Sequence, residues 1–326
     1  MKESILNFTE QFNFEPEIVN EESLDCNYNN FILGGMGGSS ISANLLHIFR
    51  PGIKLHIHKD YGLPAFDNEF MSDALFIASS YSGNTEETLD FVESAYSRGY
   101  KVAIITSGGK LLEYAKTNNL PYIQIPSTGI QPRMALGFSI LSISKFVNKE
   151  LVPEIQGSLN NIELDLIEKQ ADEIFPQLEN KIPTIYSSLL NQPLGYVWKI
   201  TLNETGKVPA FQNVFPELNH NEMQSFDFSA LDTNENQNKF GNFGFIILHD
   251  SEDYPQNELR MKTLETLYQE KGFDVISLYL EGNNPFEKVF KSILLACFIA
   301  LKLAEAREVD PETVPLIEEF KKRISK

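Results

Sequence analysis

Residues 74–88 have the sequence ALFIASSYSGNTEET, and this stretch decides the fold. Its first five residues form a continuous apolar run, which is typical of a short strand buried on both faces of a parallel sheet. Apolar residues then recur at helical spacing from Leu89 to Tyr96, so we predict a helix that begins near Thr85. A strand, a short turn and a helix in this order form the repeating unit of a doubly wound α/β sheet.

The turn between this strand and this helix is dense in hydroxyl groups and predicts a phosphate-binding site. The first backbone N–H groups of a helix have no partner within the helix and lie at the positive end of its dipole, so they stabilise an anion. Ser80, Ser82 and Thr85 can each donate a hydroxyl to a phosphate oxygen, and Gly83 lets the backbone come close. The structural alternative is that Thr85 caps the helix and Thr88 is an ordinary first-turn residue.

A second turn, rich in glycine and serine, lies upstream. Residues 31–33 predict a strand, residues 34–40 (GGMGGSS) the turn, and residues 41–49 a helix. Two such turns in consecutive strand–helix units favour one ligand held from two sides. The second turn also begins the G-x-G-x-x-G pattern of dinucleotide-binding folds, with Asp60 at a suitable distance downstream. Ser40 occupies the third glycine position, however, and that pattern does not account for the serines of the first turn.

The composition excludes some classes of partner. The 326 residues are 42% apolar, which is enough for two packed domains. The formal net charge of −18 argues against nucleic-acid binding, because a phosphate backbone needs a basic face. An anionic small molecule is not excluded, since charges are screened beyond about 8 to 10 Å and oriented donors dominate at short range. The longest apolar stretch, residues 293–301, is too short for a membrane span, and residues 1–4 lack a signal-peptide core.

Cysteine and histidine usage gives two further expectations. Cys26 and Cys297 are far apart in sequence, so we expect two unpaired thiols in a reducing, cytoplasmic environment. His56 and His58 have a spacing that can ligate a metal, but no further Cys, His or Asp cluster accompanies them. We therefore expect neither a metal nor a cofactor.

The chain is predicted to form two doubly wound, flavodoxin-like parallel sheets in tandem, in domains of residues 1–152 and 153–326. In the first half the predicted strands are 31–33, 54–57, 74–78, 101–106 and 121–125, and the predicted helices are 40–49, 85–98, 110–118 and 133–148. After a helical connector near 160–180, the second half has predicted strands at Thr184–Ser187, Val208–Gln212, Gly244–Leu248 and Val275–Leu278, with helices near 195–204, 256–271, 285–306 and 311–324. The second half resembles a degenerate copy that lacks both turns, so we expect it to complete the pocket. Residues 232–242 predict a polar surface loop.

Two residues in the second half are candidates for acid–base chemistry. Glu204 ends a predicted helix, and His220 follows sixteen residues later. A carboxylate and an imidazole near one pocket could divide a proton transfer between them, because burial raises the pKa of Glu and His titrates near neutrality. The structural alternative is that Glu204 pairs with Lys207 and that His220 is a capping neighbour.

Several short motifs occur in order along the chain: Gly34-Gly35-Met36-Gly37-Gly38-Ser39, Ser80-Tyr81-Ser82-Gly83-Asn84-Thr85, Gln131-Pro132-Arg133, Asn203-Glu204 and Asn219-His220-Asn221-Glu222. Together they resemble the bifunctional phosphoglucose/phosphomannose isomerases, members of the sugar isomerase (SIS) domain superfamily. The likeness extends to Val309-Asp310-Pro311 and Ile317-Glu318-Glu319-Phe320-Lys321. The serine-rich turn alone indicates only a phosphosugar-binding SIS fold, which transcriptional regulators and aminosugar enzymes also use. The Glu204 and His220 motifs narrow the resemblance to this family.

The resemblance implies a place for the substrate. The sugar phosphate would bind to Ser80, Ser82 and Thr85, with Gly37, Gly38 and Ser39 lining the sugar side. The fold it implies is a pair of SIS-type domains in tandem.

The resemblance also implies catalytic roles. Glu204 would move a proton between C2 and C1 through a cis-enediolate, and Arg133 would stabilise the negative charge of that intermediate. His220 would open the pyranose ring; in the family this histidine comes from the partner subunit, which implies a homodimer. Lys321 matches a lysine that reaches the site from the last helix, although Lys322 is adjacent.

The implied activity is metal-independent interconversion of glucose 6-phosphate, mannose 6-phosphate or both with fructose 6-phosphate, as in glycolysis and gluconeogenesis. One base can serve both aldoses, because they differ only at C2 and the cis-enediol has no stereocentre there. The alternatives are an SIS-type isomerase of another phosphosugar and a regulator that binds a phosphosugar without turning it over.

Overall fold

The computed structural model describes residues 1–24, 28–159, 162–227 and 242–324. Cys26 and most of the predicted polar loop at 232–242 therefore lie outside the described residues. The helices are α1 (Lys2–Leu6), α2 (Gly37–Phe49), α3 (Asn68–Ser72), α4 (Glu86–Ser97), α5 (Gly109–Thr117), α6 (Leu136–Val147), α7 (Leu151–Gly157), α8 (Leu164–Leu178), α9 (Gln192–Glu204), α10 (Pro255–Glu270), α11 (Pro285–Ala306) and α12 (Pro315–Ile324). The strands are β1 (Asn30–Gly34), β2 (Leu55–His58), β3 (Ala74–Ser80), β4 (Lys101–Thr106), β5 (Tyr122–Gln124), β6 (Ile182–Ser188), β7 (Phe211–Phe215), β8 (Phe243–His249) and β9 (Asp274–Tyr279).

The chain divides into two compact units. The N-terminal unit comprises residues 6–160, and the C-terminal unit comprises residues 161–326 together with residues 1–5. Helix α7 packs against α6 and therefore belongs to the N-terminal unit, which extends past residue 152. All of helix α1 except its last residue belongs to the C-terminal unit, where the ammonium of Lys2 lies 2.8 Å from the carboxylate of Glu168.

The N-terminal unit contains a parallel sheet with the strand order β2-β1-β3-β4-β5. Strand β3 is buried at every position, as its apolar run predicts. The order reverses between β1 and β3, because the chain moves from β1 outwards to β2 and then crosses to the other side. The carboxyl ends of β1 and β3 therefore form the switch point at which open α/β sheets bind ligands.

The C-terminal unit contains a parallel sheet with the order β7-β6-β8-β9 among the described strands. This order repeats that of the first four strands of the N-terminal unit. The doubly wound α/β fold with two parallel sheets, predicted from the sequence, is confirmed. None of the described helices combines the length and the apolar character needed to cross a membrane.

Several element boundaries differ from the predicted ones; helix α2, for example, begins at Gly37 rather than at residue 40, and β7 and α12 begin later than predicted. Strand β7 begins at Phe211 rather than Val208, because Pro209 has no N–H for a strand ladder and Val208 instead donates its N–H to the carbonyl of Leu202. Helix α12 begins at Pro315 rather than at residue 311. The short helices α1, α3 and α7 were not predicted. For α3 the available signal was Asp67, whose carboxylate caps the helix by accepting from Phe70 N at 2.8 Å.

Candidate active site

The serine turn, residues 80–85, joins β3 to α4 at the switch point of the N-terminal sheet. The buried Ser80 hydroxyl lies 2.8 Å from the Thr85 hydroxyl and accepts the N–H of Gly83 at 3.1 Å. The Ser82 side chain is exposed, and its hydroxyl oxygen accepts the N–H of Asn84 at 3.3 Å. Thr85 occupies the cap position of α4, but its side chain makes no capping bond to the helix. The hydroxyl of Thr85 is therefore used within the turn, not as a cap.

Gly83 is required by the geometry of the serine turn. Its φ is +68°, and a Cβ at this position would lie 1.8 Å from the carbonyl oxygen of Gly108 in the next strand–helix turn. Any other residue would have to displace the backbone. The serine turn is therefore fixed by direct backbone contact with its neighbour.

The glycine turn, residues 34–39, lies against the end of β3, just before the serine turn. A Cβ on Gly35 would be 2.7 Å from the carbonyl oxygen of Ser79, so the two backbones touch at the switch point. A Cβ on Gly38 would be 2.4 Å from the carbonyl oxygen of Pro132, which precedes Arg133. The N-terminal unit thus brings together Gly37, Gly38, Ser39, the serine turn and the segment that carries Arg133.

The segment around Arg133 is a short 3-10 helix, Pro132–Met134. The buried side chain of Gln11 holds it by donating to the carbonyl of Met134 at 2.8 Å and accepting the N–H of Gly137 at 3.0 Å. The guanidinium of Arg133 is half-buried and donates to the side-chain oxygen of Gln131 at 3.4 Å. The backbone of this arginine is therefore fixed next to the glycine turn.

Glu204 is the last residue of α9 in the C-terminal unit and is half-buried. The Lys207 ammonium donates to the main-chain oxygens of both Glu204 and Thr313. The side-chain oxygen of Asn203 accepts the N–H of Ala210 at 2.8 Å. These bonds fix the chain around Glu204, and they place the residues just before α12 beside it.

His220 ends a 3-10 helix, Glu217–His220, and its side chain is exposed. The segment is anchored on either side of the imidazole. Leu218 is fully buried, and the carboxylate of Glu222 accepts hydrogen bonds from the Tyr186 hydroxyl at 2.7 Å and from the Asn213 amide. The backbone at His220 is therefore held while its ring faces outwards.

Tyr186 has a fixed protonation state in this arrangement. Burial, together with the neighbouring Tyr268 and Glu222, raises the pKa of the Tyr186 hydroxyl, so that it remains a donor at neutral pH. Sequence reasoning gave Glu222 no role, although it is the last residue of the Asn219–Glu222 motif.

Lys321 lies on α12, the last helix of the C-terminal unit, and is exposed like its neighbour Lys322. No residue of α12 is buried, and its large apolar side chains Leu316 and Phe320 are 82% and 60% exposed. The helix is amphipathic, with apolar residues on one side and Lys321, Lys322 and Arg323 in its last turn.

The histidines considered as metal ligands make other contacts. The His58 ring nitrogen lies 3.3 Å from the carbonyl oxygen of Tyr61, and the His56 ring packs edge-on against Phe66 at 4.6 Å. Within the described ranges, no group of three or more His, Cys, Asp or Glu side chains has an arrangement suited to a metal ion.

One group in the C-terminal unit was not found from the sequence. At the carboxyl end of β8 the buried carboxylate of Asp250 accepts from the Lys288 ammonium at 2.6 Å and from the Asn191 amide at 3.0 Å. Burial alone lowers the pKa of Lys288, but its bonds to Asp250 and Glu252 outweigh this and raise it. A carboxylate thus occupies the switch point of the second sheet, where the first sheet presents hydroxyls.

The two parallel, doubly wound sheets in tandem define a class of fold that solved structures share. Over its full length the chain superimposes on a hypothetical protein from Thermus thermophilus with a TM-score of 0.65 at 18% identity, covering 100% of this chain and 88% of the other. The C-terminal domain of glucosamine-fructose-6-phosphate aminotransferase from Francisella tularensis gives a TM-score of 0.64 at 14% identity, with coverages of 96% and 97%. At these identities the likeness concerns the fold.

Sequence comparison identifies the family within this class. Residues 167–324 match the family described as bacterial phospho-glucose isomerase C-terminal SIS domain. A bifunctional phosphoglucose/phosphomannose isomerase from Caldicellulosiruptor bescii is 34% identical, covering 100% of this chain and 99% of that protein. The protein of the same description from Aquifex aeolicus is 31% identical, with coverages of 92% and 91%. The chain belongs to the bifunctional phosphoglucose/phosphomannose isomerase family.

Another relative has a different description. A D-glucosamine-6-phosphate 4-epimerase from Sulfolobus acidocaldarius is 26% identical, covering 89% of this chain and 87% of that protein.

Proposed function

We propose that this protein is an aldose–ketose isomerase that interconverts glucose 6-phosphate, mannose 6-phosphate or both with fructose 6-phosphate. The observation that supports this most strongly is the serine turn, which carries three hydroxyl side chains just before a helix N-terminus at the switch point of the sheet, with those of Ser80 and Thr85 in contact. Such a turn suits a phosphate group, because hydroxyls and backbone N–H groups donate to its oxygens. Membership of the family, supported by relatives that match along the full length, connects this turn to phosphosugars.

The proposed reaction is a proton transfer through a cis-enediol. The Glu204 carboxylate removes the C2 proton of the open-chain aldose, and the electron pair forms the C1–C2 double bond while the carbonyl oxygen gains negative charge. The proton is then returned to C1, while the C2 hydroxyl passes its proton to the O1 oxygen, which becomes the C1 hydroxyl, and the C2–O bond becomes the ketone carbonyl. Arg133 stabilises the negative charge of the intermediate, as a fixed cation should where charge develops.

The remaining residues act before or around this step. We assign to His220 the opening of the pyranose ring, by movement of a proton to the ring oxygen, and to Lys321 a contact with the sugar. Gly37, Gly38 and Ser39 line the sugar side. This scheme needs no Lewis acid, because a carboxylate base and an arginine supply the proton transfer and the charge stabilisation.

We also propose that the active form is a homodimer in which His220 acts in the site of the partner subunit. The exposed ring of His220 on a well-anchored backbone is consistent with this role, since a residue that crosses an interface must face outwards in the free chain.

A second candidate function is chemistry on an aminosugar phosphate, which the epimerase relative favours. The discriminating experiment offers fructose 6-phosphate, glucose 6-phosphate, mannose 6-phosphate and glucosamine 6-phosphate in parallel coupled assays. We expect turnover of the first three. Turnover of glucosamine 6-phosphate alone would replace the proposal by the second candidate, and binding of the sugars without any turnover would point to a regulator.

A further inference from the structure

The turn between β4 and α5, residues 106–110, makes hydrogen bonds to the backbone of the serine turn. Ser107 donates twice to the same acceptor, the carbonyl oxygen of Tyr81, through its backbone N–H at 3.1 Å and through its hydroxyl at 2.6 Å. The N–H of Leu111, in the first turn of α5, donates to the carbonyl oxygen of Gly83 at 2.9 Å. Two carbonyls of the serine turn are therefore held on the side of the β4–α5 turn.

The direction of these carbonyls determines the direction of two N–H groups. In a planar trans peptide the C=O and the N–H point in opposite directions. The N–H of Ser82 shares a peptide with the carbonyl of Tyr81, so it points away from Ser107. The N–H of Asn84 likewise points away from the β4–α5 turn, and there it meets the hydroxyl oxygen of Ser82 at 3.3 Å. The Ser82 amide is thus directed to the side of the turn on which the Ser82 hydroxyl lies.

The β4–α5 turn is itself rigid. The Thr106 hydroxyl donates to the carbonyl of Gly108 at 2.8 Å, and its oxygen lies 3.2 Å from the Gly108 nitrogen, which donates to it. The backbone of Gly108 packs directly on Gly83. Lys110 N donates to the side-chain oxygen of Asn84 at 3.2 Å. A rigid neighbour of this kind can fix the orientation of the serine turn before any ligand arrives.

We propose that Ser107 is a positioning residue for the substrate phosphate. By holding the carbonyl of Tyr81 with two donors, it directs the N–H of Ser82 towards the phosphate that the serine turn binds. Ser107 acts through the serine turn and does not itself touch the substrate. This inference rests on the proposed function, because it presupposes that the serine turn is the phosphate site.

The test compares Ser107→Ala with Ser97→Ala, a matched control. Ser97 is an exposed serine on α4 whose hydroxyl also donates to a main-chain oxygen, that of Ser94 at 3.2 Å. In Ser107→Ala we expect KM for fructose 6-phosphate and the inhibition constant of inorganic phosphate to rise together by about 3- to 10-fold, as the loss of one hydrogen bond allows. We expect kcat to stay within about twofold, since a contact made equally in ground and transition states affects KM alone. Ser97→Ala should change neither constant, and Ser107→Thr should restore both.

Calorimetric titration with fructose 6-phosphate separates the possible failures. If the wild-type protein bound no fructose 6-phosphate, the proposed function and this inference would both be overturned. If the wild type and Ser107→Ala bound it equally, with only the melting temperature of the variant lowered, the role of Ser107 would be overturned and the proposed function would stand.

Discussion

Ser80 and Ser82 contribute to the serine turn in different ways. The Ser80 hydroxyl is buried and bonded to Thr85 and to the N–H of Gly83, so removing it disturbs the turn itself. The Ser82 hydroxyl is exposed and remains able to donate its proton, because its oxygen accepts the N–H of Asn84. Ser82 is therefore the better residue for testing phosphate binding separately from folding.

We predict that Ser82→Ala raises KM for both aldose phosphates and for fructose 6-phosphate and leaves kcat nearly unchanged. A hydrogen bond to a charged group contributes about 1.5 to 3 kcal/mol, so the rise should be about 10- to 100-fold. Steady-state kinetics on the three sugars measures it, with Ser97→Ala as the control. An unchanged KM in Ser82→Ala would remove the serine turn from the phosphate site.

Candidate residues that lie close together along the chain could be predicted from the sequence. Those that only the tertiary fold brings together could not. The three hydroxyls of the serine turn lie within six residues, between a strand and a helix, and this spacing alone predicts that they meet. The bond between Tyr186 and Glu222 joins residues 36 positions apart, and that between Asp250 and Lys288 residues 38 apart. No local periodicity links these pairs, so only the folded chain reveals them.

The serine turn packs against the β4–α5 turn, and the two turns meet at Gly83. We predict that Gly83→Ala abolishes measurable phosphosugar binding, because its Cβ would lie 1.8 Å from the carbonyl oxygen of Gly108 and the backbone must move. Calorimetric titration with fructose 6-phosphate measures the loss, and thermal unfolding measures the accompanying destabilisation.

The matched control is Gly99→Ala. Gly99 also has a positive φ, +79°, but nothing lies within 4 Å of a Cβ there. Both variants carry the strain of a left-handed alanine, about 1 kcal/mol, whereas only Gly83→Ala adds the steric conflict. Equal binding by the two variants would contradict the account of the paired turns.

The strands of both sheets were predictable because buried parallel strands are short apolar runs, and β3 and β8 illustrate this. The prediction failed in detail at β7, where Val208 and Ala210 are as apolar as strand residues but are buried against the end of α9. Burial in a loop and burial in a strand leave the same pattern in the sequence. The contact of the β4–α5 turn with the serine turn was not predicted for another reason. Its hydrogen bonds join residues that lie far apart in the sequence.

At the level of the whole protein, we predict that activity survives exhaustive treatment with EDTA. The proposed base and the proposed cation are both side chains, so the reaction needs no Lewis acid. Coupled assays before and after chelation measure this, with a zinc-dependent isomerase as a positive control for the treatment. Activity that is lost on chelation and restored by zinc would contradict the mechanism and return attention to His56 and His58.

A second prediction concerns the dimer. If His220 acts in the partner's site, Glu204→Gln and His220→Ala should each have little activity on pyranose substrates, and mixing the two should restore part of it. In a random mixture half of the dimers contain one of each chain, and each of these has one intact site, so about a quarter of the wild-type activity should return. Native mass spectrometry shows whether the mixture contains mixed dimers. If it does and the activity still stays at the level of the separate variants, His220 acts in the site of its own chain.

The central claim is that Glu204 moves a proton between C2 and C1 of the sugar, and deuterium incorporation tests it most directly. Glucose 6-phosphate and mannose 6-phosphate are converted in D₂O, and C1 of the fructose 6-phosphate is examined by NMR. We predict deuterium on C1 from both substrates with the wild-type protein, because the proton held by the Glu204 carboxyl group exchanges with solvent before it is returned. With Glu204→Gln we predict none and a kcat lower by about 10²- to 10⁴-fold, the usual contribution of a general base. Exchange by Glu204→Gln at the wild-type rate would contradict the account.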